Sequence, residues 1–231
     1  RIDPAITLAT LPNHSHVREG QMIATVKIIP FAVDGALVER AADEVRAPGT
    51  IRVHAFRDGL KVAMIQTRVK GTKKSVLDKT WRVTHARLQE LHAELADESR
   101  TDHTAAALSE EIAAQIAVAD MVLIFGASAV TDRRDVVPQA IYQAGGKILH
   151  VGMPVDPGNL LVLGEIAGKP VIGAPGCARS PKENGFDWVL QRLCADIPVT
   201  ADDIVAMGVG GLLMEIPIRP HPRETASPVR S

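Results

Sequence analysis

Cysteine is almost missing from this 231-residue chain, with only Cys177 and Cys194 present, and their separation suits neither a disulfide framework nor a zinc pair. A reducing, cytoplasmic setting is the expectation. Net charge is missing too: 26 Lys+Arg against 27 Asp+Glu leave −1, so no global field draws the chain to nucleic acid or an anionic membrane surface. Any anion site must be local. The longest apolar stretch runs from Met121 to Val130 and already contains Gly126 and Ser128, far short of the roughly 20 residues that cross a bilayer. No membrane span and no secretory signal are expected. The eight histidines form no HExxH or HxE…CxxC set, and neither a P-loop nor a dinucleotide fingerprint occurs, which argues against catalytic zinc and those modes of nucleotide binding. What remains is ordinary globular composition, 46% hydrophobic and 23% charged, which excludes disordered and fibrous classes.

Punctuation and periodicity then divide the chain. Residues 21–33, QMIATVKIIPFAV, read as a strand with Pro30 at an edge or bend, and a short helix is expected at 35–46. After the Pro48-Gly49 turn come IRVHAF at 51–56 and the Asp58-Gly59 turn signal. KVAMIQT at 61–67 and MVLIF at 121–125 are compact apolar runs of the kind buried on both faces of a sheet. Near-helical spacing predicts amphipathic helices over 77–95 and 104–118, and further helices are expected at 136–144, 185–195 and 200–207. Strands are expected at 147–151, 160–166 and 170–174. Strands alternating with long helices imply an α/β fold, a doubly wound and mostly parallel sheet with helices on both faces, preceded by a small N-terminal β/α segment. The expected divisions are an N-terminal segment at 1–57, an α/β domain at 58–212 and a Pro-rich linker at 213–231. The start at Arg1 and that linker create the expectation of a piece of a longer protein.

In an open parallel sheet, ligands sit beyond the carboxyl ends of the strands. The loops there read RVKGTKK (68–74), GASAVTDRRD (126–135) and PGCARSPK (175–182), and their 25 positions hold eight of the 26 cations. Those are Arg68, Lys70, Lys73, Lys74, Arg133, Arg134, Arg179 and Lys182. Such enrichment on one edge points to an anion, most economically a phosphate, although charge also collects in any solvated loop. Asp132 and Asp135 stand beside two arginines and are the candidate catalytic carboxylates. Asp135 is also the candidate Mg²⁺ ligand, because magnesium requires hard oxygen donors. Its local reading is the N-cap of the helix opening at Val136. Asp78 is a third candidate, with a helix-dipole role as its local reading. Gly126, Gly158, Gly173 and Gly176 sit where a ligand could approach backbone closely. Among the histidines only His103, in the turn before a helix, falls near this edge.

These loops carry a resemblance. VLIFGASAVTDRRDVVPQAI at 122–141, DPGNLLVLGEIAGKPVIG at 156–173 and GAPGCARS at 173–180 are similar, in order and character, to the motifs of the molybdopterin-binding domain shared by molybdopterin molybdotransferases and adenylyltransferases. Residues 61–195 resemble that domain. The likeness extends, through ATVKIIPFAV, MPVDPGNLL and GAPGCARSPKENGFDWVL, to bacterial proteins that carry a nucleotidyltransferase-like domain after it. The resemblance implies molybdopterin as ligand, work in molybdenum cofactor biosynthesis, a C-terminal transferase domain as partner, and homo-oligomerisation. Carried over by motif, Gly126, Ser128 and Asp135 belong to the Gly-rich turn, Pro157 and Gly158 to the Pro-Gly loop, and Gly173, Pro175, Gly176 and Ser180 to the last loop. Ala127 stands where a second glycine is usual, and Cys177-Ala178 replace Asn-Pro. Binding needs fewer matched groups than chemistry, so pterin binding for an attached or partner transferase is the leading expectation. The alternatives are an enzyme using Mg²⁺ with ATP or CTP, or inserting molybdate, and a non-catalytic oligomerising scaffold.

Overall fold

Residues 3–47 and 49–213 are described in the computed structural model, and they divide into two units between Ala55 and Phe56. The expected linker lies outside the described residues from 214 onward. In the first unit, β1 (Ile6–Thr10) and β2 (Ala24–Ile28) form an antiparallel ribbon in which Ile6 faces Ile28 and Thr10 faces Ala24. Helix α1 (Gly35–Arg46) follows, and its N-cap Asp34 accepts a hydrogen bond from the Ala36 amide at 2.9 Å. No described side chain of this unit is buried. The run at 51–56 forms no regular element.

The second unit holds a six-stranded sheet. Its elements in chain order are β3 (Leu60–Arg68), α2 (Lys74–Glu90), β4 (Ala93–Asp102), α3 (Ala105–Val118), β5 (Met121–Phe125), α4 (Val136–Gln143), β6 (Lys147–Val151), β7 (Val162–Ile166), β8 (Lys169–Ala174), α5 (Gly185–Cys194) and α6 (Ala201–Ala206). A single 3-10 turn, Gly176–Arg179, lies between β8 and α5. The strand order is β4-β3-β5-β8-β7-β6, with β4, β3, β5 and β8 parallel and the β7–β8 hairpin turning β7 antiparallel. This is the α/β fold with a mostly parallel central sheet flanked by helices.

The period-two alternation of strand side chains explains how two layers of helices are held. Val62 and Met64 of β3, with Leu123 and Phe125 of β5, face Leu88 of α2 and Phe186, Val189 and Leu190 of α5. Ala63 and Ile65, with Val122 and Ile124, face Leu108 and Ile112 of α3 and Val137 and Ile141 of α4. Each fully buried Leu, Ile or Phe contributes about 1.5–3 kcal/mol, so the two central strands are pinned from both sides. Their carboxyl ends are thereby fixed, and the ligand-side loops start from a rigid edge.

One element departs from the expected pattern. The helix predicted over 77–95 ends at Glu90, and His92 takes φ +56 as the chain turns into edge strand β4. That strand reads AELADESRTD, whose charges suit an edge facing water and hide its strand character.

Candidate functional site

Beyond the carboxyl ends of β3, β5 and β8 lies a cleft of about 230 Å³, walled by the loop 126–130, the segment Gly173–Gly176, Arg179, Thr67, Thr72 and Leu160. Three strand ends supply its floor, and the loops that follow them, with Leu160 from the β6–β7 connection, supply its sides.

Arg179 leaves the 3-10 turn and folds inward. Its Nη1 donates to Thr80 Oγ1 at 2.8 Å and Gln66 Oε1 at 3.3 Å, its Nη2 donates to the Gly126 carbonyl at 2.9 Å, and its guanidinium lies 5.4 Å from the centre of the Phe125 ring. Three of five N–H donors are thus used. No carboxylate pairs with it among the described residues, and Glu98 connects only through Gln66, whose Nε2 donates to it at 2.8 Å. Burial pulls the guanidinium pKa below its ordinary value. A desolvated cation with spare donors in a cleft wall has the chemistry to receive an anion.

The loop 126–135 is braced by its own acids. Asp135 occupies the N-cap position of α4, but its carboxylate makes no bond to the helix. Instead Oδ2 accepts from the Thr131 and Asp132 amides at 2.7 and 2.9 Å. The expected capping bond is therefore replaced by one that closes the preceding turn. Those amides hold the Asp135 carboxyl below its usual range. Asp132 is likewise depressed, chiefly by Arg134, whose Nε lies 3.0 Å from Oδ1 and whose amide lies 2.8 Å from it. No group of three His, Cys, Asp or Glu side chains converges on a metal position among the described residues. With one oxygen of each carboxylate engaged and no third such donor converging among the described residues, this donor set does not fit a protein-held Mg²⁺.

Thr67, at the end of β3, ties the loop to the sheet. Its Oγ1 accepts from the Ala127 amide at 2.8 Å and lies 2.7 Å from His103 Nδ1, while His103 Nε2 lies 2.9 Å from Ser128 Oγ. Burial lowers the His103 pKa, opposed in part by the Asp135 charge.

The last loop is held from α2. Arg87 donates through Nε to Asp187 at 2.6 Å, through Nη1 to the Ala178 carbonyl at 2.6 Å, and through Nη2 to the Ser180 carbonyl. Asp187 in turn closes a capping box with Asn184 at the start of α5. Burial pushes the Asp187 carboxyl up, against the pull of Arg87.

Of the residues expected from sequence, Gly126, Ser128, Gly173, Pro175, Gly176 and Arg179 meet in the cleft wall. Lys73, Lys74, Asp132, Arg133, Arg134 and Lys182 are exposed in the bordering loops. Asp78 does not enter the cleft lining: it pairs with Arg100 at 2.8 Å, beside the Arg100–Glu98 pair at 2.6 Å. Pro157 and Gly158 pack elsewhere. The Pro157 carbonyl accepts from the Gly185 amide at 2.9 Å, and a Cβ on Gly158 would come within 2.6 Å of that amide nitrogen. Ser180 contributes its carbonyl to Arg87. Sequence reasoning missed Thr67 and Arg87, each inside a regular element with no local signal of its role.

A family model described as "Probable molybdopterin binding domain" matches residues 63–194, more than half of the 231. Among solved structures, the chain is similar to the molybdopterin biosynthesis MoeA protein from Pyrococcus horikosii, at 22% identity and a TM-score of 0.45, over 68% of this chain and 40% of that one. It is also similar to a molybdenum cofactor biosynthesis protein B, at 15% identity and a TM-score of 0.44, over 62% of this chain and 96% of that one. A third similar structure is the CinA protein of Thermoplasma acidophilum, at 15% identity and a TM-score of 0.40, over 62% and 100% of the respective chains. The match therefore spans well under half the length of the MoeA protein. A comparison with curated protein sequences gives no match.

Proposed function

The chain belongs to the molybdopterin-binding domain family of molybdenum cofactor biosynthesis, and from that membership we propose that it binds molybdopterin in the cleft beyond β3, β5 and β8, with the terminal phosphate against Arg179. The observation that carries this reading is Arg179 itself, a half-buried guanidinium that, among the described residues, has two unused N–H donors and no paired carboxylate. A phosphate supplies both the missing charge and the missing acceptors. The exposed cations Lys73, Lys74, Arg133, Arg134 and Lys182 raise the local concentration of an anion without fixing its position.

The role is that of a holder. Asp132 and Asp135 each commit one carboxylate oxygen to bracing the loop, through Arg134 and the loop amides, which favours assigning the chemistry on the pterin to a transferase domain or partner, nucleotidyltransferase-like in character. Holding the pterin beside such a domain gives it a high effective concentration there.

A titration of the chain with molybdopterin, in the presence of Mg-ATP and then Mg-CTP, tests both parts. Binding without nucleotide consumption is expected; consumption by this chain alone would overturn the holder role, and absent binding would overturn the ligand. Reversing Arg133 and Arg134 to Glu should weaken binding only about three- to tenfold at low salt, and less at high salt, because exposed charges are screened. An effect that ignores salt would contradict their steering role.

A further inference from the structure

The buried hydroxyl of Thr67 settles which way the Ser128 hydroxyl faces. Thr67 is 0% exposed, so no solvent reaches it, and its Oγ1 has two neighbours among the described residues: the Ala127 amide and His103 Nδ1. The amide can only donate, which makes Oγ1 its acceptor. The hydroxyl hydrogen then has one place to go, the Nδ1 lone pair. If Nδ1 carried the proton instead, the Thr67 hydrogen would be orphaned in the core, at the cost of an unmade hydrogen bond. Nδ1 is therefore the acceptor, and the proton of the neutral ring sits on Nε2.

Nε2–H points at Ser128 Oγ, 2.9 Å away. Ser128 accepts that bond, and its own hydrogen has no other acceptor among the described residues. Ser128 is exposed and lines the cleft. We propose that Thr67 and His103 are positioning residues that turn the Ser128 hydroxyl into a hydrogen-bond donor aimed into the cleft, so that the ligand group received there is an acceptor-only oxygen such as that of a phosphate. The proposal rests on the anion reading of the cleft and deepens it. It also excludes the opposite assignment, a serine nucleophile with histidine as base, because the nitrogen facing Ser128 already holds its proton.

The test uses the full chain and inorganic phosphate as the probe. Long-range proton–nitrogen NMR of the histidine-labelled chain reads the tautomer directly, and the Nε2–H form is expected for His103. Thr67→Val should release that preference and weaken phosphate binding, while Thr67→Ser, which keeps the hydroxyl, should restore both. Ser128→Ala should cost about three- to tenfold in phosphate affinity, the size of a modest hydrogen bond. Combining it with Thr67→Val should cost little more, because both changes remove the same donor. An Nδ1–H His103, or additive losses in the double variant, would overturn the proposal alone. A wild-type chain indifferent to phosphate, with His103 in the Nε2–H form, would overturn the anion reading beneath it and the role of Ser128 together. Should Thr67→Val fail to fold, the wild-type tautomer and the exposed Ser128→Ala variant still decide the matter.

Discussion

Replacing Arg87 with Met should unfold the second unit more readily than any other single change at the site, by about 3–5 kcal/mol. The Arg87 and Asp187 side chains are only 10% and 12% exposed, so removing the guanidinium leaves a buried carboxylate without its counter-ion. It also orphans the Ala178 and Ser180 carbonyls, each of which then carries a desolvation penalty. For a unit of this size the loss corresponds to a fall of roughly 10 °C in Tm, read by thermal and denaturant melts. Arg87→Lys should recover only part of it, since an ammonium group lacks the planar fork that reaches Asp187 and the carbonyls of Ala178, Ser180 and Lys182. A loss under about 1 kcal/mol would show that the turn at 175–180 holds itself. Because that turn carries Arg179, ligand affinity should fall along with stability.

Arg179→Met should behave in the opposite sense, with a large effect on binding and a small one on stability. The folded chain already bears the cost of burying that charge without an ion pair, and its removal relieves this. Against the relief stand the bonds to Thr80, Gln66 and the Gly126 carbonyl, and the two nearly offset. The bound phosphate has no such compensation. Losing one or two charge-assisted hydrogen bonds should weaken molybdopterin binding about 100-fold, measured by equilibrium titration at fixed salt. Arg179→Lys should retain part of the affinity, as a point charge without the fork. A variant that binds as tightly as wild type would remove Arg179 from the site.

The contrast between Arg179 and its neighbours also explains what could be read from sequence. Apolar runs such as MVLIF set their strands unambiguously, since five buried residues between turn signals leave no competing pattern. Helices α3 and α4 followed from spacing and caps. Strand β4 did not, because an edge strand is free to carry acids that imitate a helix surface, and β1 is only five residues long, with a single Ile-Thr-Leu alternation. At the candidate site, the enrichment of cations pointed to the sheet edge that bears Arg179, yet it could not separate the inward Arg179 from the outward Arg133 and Arg134. That distinction depends on Thr80, Gln66 and Phe125, brought from three elements far from Arg179 in the chain. Asp78 reads in sequence as a candidate third carboxylate or a first-turn acid at a helix start, and only the position of Arg100 on the unforeseen β4 reveals its partner. Thr67 and Arg87 are legible only through their hydrogen bonds.

The most direct test of the account is the position of the terminal phosphate in a crystal structure of the chain with molybdopterin bound. The account predicts it between the loop 126–130 and the turn 175–179, within hydrogen-bond distance of an unused N–H of Arg179 and of Ser128 Oγ. A phosphate held instead by the exposed lysines of 68–74, out of reach of Arg179, would contradict it.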